Sequence, residues 1–203
     1  MSAQDKNGTE AQPLSRATIT VVSGLPRSGT SMMMKMLEAG GMPILTDHIR
    51  SPDEDNPRGY FEFERVKQID DDQAWLEDAA GKAVKMISAL LKHLPPTFHY
   101  RVVFMQREMA EILTSQRQML IRRGEPTDRI GDEKMAAVFR RHLSLTESWL
   151  NEQPNMEVLY VRYDQAVQDP AAQAHRVNLF LGGSLDVQEM MRVVDPNLYR
   201  QRH

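Results

Sequence analysis

Cysteine is absent from the 203-residue chain, which excludes disulfide frameworks, thiolate metal sites and thiol redox chemistry. Its absence agrees with a reducing compartment, and the expectation is a cytoplasmic protein. Long apolar runs are missing as well. No stretch approaches the roughly 18 uninterrupted apolar residues of a membrane span. The opening Met1 to Arg16 is polar, with Gln4, Asp5, Lys6, Asn7 and Glu10, and holds no apolar core of the kind a signal peptide needs. It reads as a disordered tail (1–16) ahead of a single domain (17–203). A large excess of one charge is also lacking. A net charge of −3 gives no overall attraction to nucleic acid or anionic membranes, so any polyanion must be held by local clusters. What is present is an ordinary globular composition, 41% hydrophobic, sufficient for one core.

Four short stretches rich in β-branched residues predict strands: Ala17 to Ser23, Ala83 to Ile87, Val102 to Gln106 and Glu157 to Tyr163. Their near-continuous apolar character is that of strands covered on both faces, as in a parallel sheet. Between them, helical periodicity marks Ser31 to Ala39, Arg65 to Ala79, Ala110 to Arg123, Lys134 to Gln153 and Ala171 to Leu181. Strands alternating with helices predict an α/β fold of three layers, a parallel sheet flanked by helices. Thr46 to Tyr60 and Gly124 to Asp132, rich in Pro, Gly, Asp and Arg, read as loops, which in α/β domains carry ligands at the sheet's carboxyl edge. Met32, Met33, Met34 and Met36 form a stripe at helical spacing and read as core filling.

The first predicted strand runs directly into Gly24-Leu25-Pro26-Arg27-Ser28-Gly29-Thr30-Ser31 and then into a helix. Strand, glycine loop and helix in that order form a phosphate-binding context, in which successive N–H groups turn inward on an anion at the helix N-terminus. Nucleotide triphosphatases carry a lysine after the second glycine to reach the β- and γ-phosphates. Here that position is Thr30, and the cation lies inside the loop at Arg27.

The segment Pro26-Arg27-Ser28-Gly29-Thr30-Ser31 resembles the phosphosulfate loop of the sulfotransferases that use 3'-phosphoadenosine-5'-phosphosulfate (PAPS), Pro-Lys/Arg-Ser-Gly-Thr-Thr/Ser. The resemblance implies a P-loop-like fold, PAPS as the donor and these six residues around its 5'-phosphate, with Arg27 beside the bridging oxygen. It extends to Arg107 at the end of the third predicted strand and Ser115 eight residues on, which by resemblance bind the donor's 3'-phosphate. It reaches Leu159-Tyr160-Val161-Arg162-Tyr163-Asp164, then Asp169-Pro170 and Phe180-Leu181-Gly182. There Tyr163 reads either as an adenine contact or as a core tyrosine. Arg200 and Arg202 at the tail either close over the 3'-phosphate, as in many relatives, or form a solvated end.

Relatives acting on small phenols and steroids place a histidine two residues after a lysine on the second of these strands. In Lys85-Met86-Ile87-Ser88 the lysine is kept and Ile87 stands where the histidine would. Other branches use a carboxylate in the loop after the first helix, which leaves Asp47 and Glu62 as the two candidate bases, each with an alternative reading as a cap or loop carboxylate. His48, His93 and His99 have no partner defined in the sequence. No ligand set for a metal stands out, and PAPS transfer needs no divalent ion to neutralise a triphosphate. The acceptor class left open is a small molecule, glycan, lipid or peptide bearing a hydroxyl or amine. Two other functions share the same loop physics: a P-loop small-molecule or nucleotide kinase, disfavoured by Thr30 and by Arg107 where a magnesium-binding acid would stand, and a module that binds adenosine 3',5'-bisphosphate (PAP) without catalysis.

Overall fold

The computed structural model describes residues 18–47, 61–127 and 131–195. Among these residues five parallel strands form one sheet in the order β2-β3-β1-β4-β5: β1 Thr18–Gly24, β2 Ile44–Leu45, β3 Ala83–Lys85, β4 His99–Gln106 and β5 Met156–Arg162. Four of the five were legible as apolar, β-branched runs. The fifth, β2, has only two residues, too few for a periodicity to register, and it pairs in register with the start of β3, Ile44 with Ala83. β3 stops at Lys85, earlier than predicted, because Ser88–His93 coils into a 3-10 helix.

Alternation along the strands separates two cores. Val22, Ala83, Val103, Met105 and Val161 face one side. There they meet α1 Thr30–Ala39, α5 Tyr163–Gln168, α6 Pro170–Leu181 and α7 Val187–Arg192. Met33, Met34 and Met36 are fully buried in this layer, so the methionine stripe is core. On the opposite face Ile19, Val21, Val84, Val102 and Phe104 pack with Trp75, Leu76, Leu91 and Leu150, drawn from α2 Trp75–Asp78, the 3-10 helix Ser88–His93 and α4 Asp132–Asn151. The result is the expected three-layer α/β arrangement.

The single helix predicted over Arg65 to Ala79 is instead a 3-10 helix, Glu64–Gln68, and the short α2. The break lies at Asp70-Asp71-Asp72, where the Asp72 carboxylate accepts from Ala74 N and pairs with Arg65. Short acidic side chains compete with helical hydrogen bonds in this way. The remaining long helices, α3 Met109–Arg122, α4 and α6, lie within two residues of their predicted bounds. Among the described residues no helix is long and apolar enough to cross a membrane.

β1 is the centre of the sheet, with β3 on one side and β4 on the other. From β1 the chain goes first to the edge strand β2 and back to β3 beside β1, then crosses to the other side for β4 and β5. The carboxyl end of β1 is therefore a topological switch point, the crevice where open α/β sheets bind ligands.

Candidate functional site

At that end, β1 passes into the loop 25–29 and the N-terminus of α1. Gly24 and Gly29 occupy left-handed backbone at φ 146° and 103°. A Cβ on Gly24 would stand 2.6 Å from Met105 O and from Ser28 Oγ, and one on Gly29 would stand 2.5 Å from the Tyr163 ring. Both positions thus require glycine on two grounds, conformation and space. Arg27 is the one non-glycine among the described residues with positive φ, 70°, a geometry costing about 1–2 kcal/mol for an L residue. Such strain persists only where surrounding contacts fix it, and three elements supply them here.

From the end of β4, Arg107 Nη1 donates to the Arg27 carbonyl at 3.1 Å. From α3, Ser115 Oγ accepts from Arg27 Nε at 2.9 Å. From the start of α5, Tyr163 packs against Gly29 and lies beneath the Arg107 guanidinium, 4.3 Å from ring centroid to Cζ. The three residues named from separate parts of the sequence, Arg107, Ser115 and Tyr163, thus converge on one loop.

The Ser28 hydroxyl inside the loop, and that of Ser23 near the end of β1, are buried without a hydrogen-bond partner. The Ser28 hydroxyl points toward Gly24, within the turn. A buried unsatisfied hydroxyl costs on the order of 1–3 kcal/mol, so the folded loop carries groups that an anion would satisfy. Gly29 is the N-cap of α1 and has no side chain to cap it, which leaves the first amides of the helix facing the same space. Pro26 is exposed at the tip of the loop and Thr30 is buried at its end. These residues fit a bound phosphate.

A second group of residues lies on the β3 side. Lys85 Nζ donates to Ser31 Oγ at 3.1 Å and is 3.7 Å from Glu62 Oε1. Glu62 is tied to the end of β2, its carbonyl accepting from Thr46 Oγ1 at 2.9 Å and Asp47 N at 3.3 Å. The Asp47 carboxylate accepts from Glu64 N at 2.6 Å, the position of a cap on the 3-10 helix that follows. Glu62 therefore connects through Lys85 to the phosphate loop, whereas Asp47 is engaged at a helix start. Ile87 is 45% exposed. Beyond it, Ser88 Oγ is 2.8 Å from His142 Nε2 of α4. Burial, reinforced by Lys92, lowers the His142 pKa below its usual value.

The remaining histidines are elsewhere. His99 opens β4, at the sheet edge opposite the loop, and His93 contacts the Asp70 carboxylate. His48, Arg200 and Arg202 lie outside the described residues. Among the described residues no cluster of three His, Asp or Glu side chains could hold a metal ion.

Sequence reasoning missed Glu111. It is buried on α3, and its Oε2 accepts from Arg107 Nε at 2.8 Å, the two side chains 5% and 8% exposed. The spacing of four residues is a visible signal, but Arg107 precedes the helix, and the rule for such pairs applies within one.

Comparison with known proteins finds a family model described as "Sulfotransferase family" matching residues 58–186, more than half of the chain. The match begins downstream of the phosphate loop. The fold is similar to that of the sulfotransferase domain of the Synechococcus PCC 7002 olefin synthase, with TM-score 0.52 and 15% identity over 97% of this chain and 87% of that one. It is also similar to the sulfotransferase domain from the curacin biosynthetic pathway, with TM-score 0.53 and 15% identity over 88% of this chain and 78% of that one. Mouse sulfotransferase SULT7A1, solved in complex with PAP, gives TM-score 0.51 and 19% identity over 88% of this chain, which spans only 63% of the mouse chain. No curated protein matches.

Proposed function

This chain belongs to the sulfotransferase family, and from that premise we propose that it transfers the sulfuryl group of PAPS to a hydroxyl or amine acceptor. The strongest support is the loop Gly24 to Ser31, whose buried, unsatisfied Ser28 hydroxyl lies within the turn that Arg27 belongs to and Arg107 braces. That combination suits an anion carrying phosphate at two places. Mouse SULT7A1, which shares the fold, was solved with PAP.

The donor brings an already activated sulfuryl group, so the protein's task is to hold both phosphates, stabilise charge on the leaving one and direct the acceptor. Arg27 and the first amides of α1 serve the leaving phosphate. Arg107 and Ser115 serve the 3'-phosphate, Arg107 supplying charge-assisted donors. Because Ser115 also accepts from Arg27, the groups assigned to the two phosphates are a single hydrogen bond apart. The Tyr163 ring, buried between Gly29 and Arg107, suits a brace for the loop better than an exposed platform for adenine.

Glu62 is the better of the two candidate bases. Its link through Lys85 to Ser31 keeps it beside the loop, whereas Asp47 is engaged with Glu64 N. The acceptor would enter past Ile87, at the end of β3, where an apolar side chain is 45% exposed. Incubating the protein with PAPS and a panel of phenols, alcohols, amines, glycans and tyrosine peptides, with chromatography of the nucleotide and mass spectrometry of the acceptor, tests the proposal. PAP released in step with a sulfated product is expected. PAPS left intact, together with no measurable PAP binding, would contradict it.

A further inference from the structure

The Arg107–Glu111 pair is buried at the junction of β4 and α3. One guanidinium makes three contacts: Nε to Glu111, Nη1 to the carbonyl of the strained Arg27, and its face over Tyr163, which in turn abuts Gly29. Both ends of the loop segment 27–29 therefore rest on this one side chain. A guanidinium is planar, with donors in fixed directions. Fixing Nε therefore fixes where Nη1 points and how the ring beneath is covered. Glu111 is what fixes Nε.

We propose that Glu111 is a positioning residue for the phosphate loop: by locking Arg107 against the loop from beneath, it sets the shape of the site that receives the 5'-phosphate. The inference rests on the donor-site reading above and extends it. A residue that merely oriented Arg107 toward a 3'-phosphate would influence only nucleotides carrying one. A strut under the loop influences every nucleotide with a 5'-phosphate, including AMP. Glu111 is buried on α3 with its carboxylate on Arg107 Nε, so its effect on the loop would be transmitted through that neighbour.

Glu111→Ala and Glu111→Gln are the variants to make. Alanine leaves the Arg107 charge buried without this partner, and the protein can fail to fold for that reason. Glutamine keeps an oxygen able to accept from Nε while removing the charge, so it serves as the folded comparison. Two measurements apply well below each variant's melting temperature: hydrogen–deuterium exchange of the amides of residues 25–30 without ligand, and calorimetric affinity for AMP and for PAP. The expected result is faster loop exchange in both variants and weaker AMP affinity, about tenfold for alanine and less for glutamine, with PAP affinity falling at least as far because Arg107 also serves the 3'-phosphate. Loop exchange and AMP affinity equal to wild type in a folded variant would overturn the proposal. So would a loss confined to PAP with AMP untouched, which would reduce Glu111 to an aid for the 3'-phosphate. If wild type binds neither nucleotide, the donor-site reading falls, and the exchange comparison alone decides whether Glu111 shapes the loop.

Discussion

The proposed donor side and the proposed acceptor side of the crevice are built differently. Around the loop, backbone shape dominates: two left-handed glycines, a strained arginine and the enclosed Ser28 hydroxyl, held by contacts from the end of β4, α3 and α5. On the other side, partly exposed side chains do the holding: Lys85 links Glu62 to Ser31, and the Asp47 carboxylate is taken up by Glu64 N. A donor common to a whole family can be met by a fixed cradle with no room for variation. An acceptor that differs between members is met by replaceable side chains on looser segments. The contrast predicts that changes on the acceptor side alter turnover with little effect on nucleotide affinity, while changes on the donor side alter both.

The largest effect should come from Glu62→Gln. Removal of a general base lowers kcat by roughly 10²–10⁴-fold, with PAP affinity unchanged by calorimetry. A variant with full kcat on a confirmed acceptor would move the base elsewhere. Next is Arg27→Ala. A cation acting on leaving-group charge is expected to lower kcat by about 10²–10³-fold, with a smaller loss in donor binding. An increase confined to the donor KM would make Arg27 an anchor for the ground state and blur the proposed contrast.

Asp47→Ala should fall well below both. It removes an acceptor for Glu64 N, a cap-like loss of about 0.5–2 kcal/mol in stability, visible in urea denaturation, while kcat stays close to wild type. A hundredfold loss of kcat would instead identify Asp47 as the base.

The smallest effect concerns pH. His142 has its pKa lowered by burial and by Lys92, so below the ordinary histidine value of about 6.5 the unfolded chain binds this proton more readily than the folded one. Stability is then fully present above that pH and is lost as pH falls toward the folded pKa. His142→Gln should flatten that part of the stability curve between neutral and mildly acid pH, as read by thermal melts. An identical pH dependence in the variant would show that other groups account for it.

Much of this molecule was readable from the chain because its signals are local. Buried parallel strands are continuous apolar runs, and a glycine loop between a strand and a helix needs no distant partner to be recognised. Arg107, Ser115 and Tyr163 were singled out by family resemblance as contacts to the donor's 3'-phosphate and adenine, and the structure brings the three together against that loop. What stayed hidden depends on contacts between distant or unlike elements. β2 is held by pairing with β3 rather than by any pattern of its own two residues. The predicted helix through Arg65 to Ala79 broke because Asp72 satisfies local amides and an arginine, a competition that helical periodicity does not register. Glu111 was passed over because its value lies in what Arg107 touches 80 residues away, at the Arg27 carbonyl.

The central claim is that this crevice holds a nucleotide with phosphates at both ends of its ribose. Titration calorimetry of the wild-type protein with PAP and with AMP, at the same salt and pH, tests it most directly. Charge-assisted bonds from Arg107 to the 3'-phosphate are expected to favour PAP by about 1.5–3 kcal/mol, a preference that Arg107→Ala abolishes. Equal affinities for the two nucleotides in the wild-type protein would contradict the account.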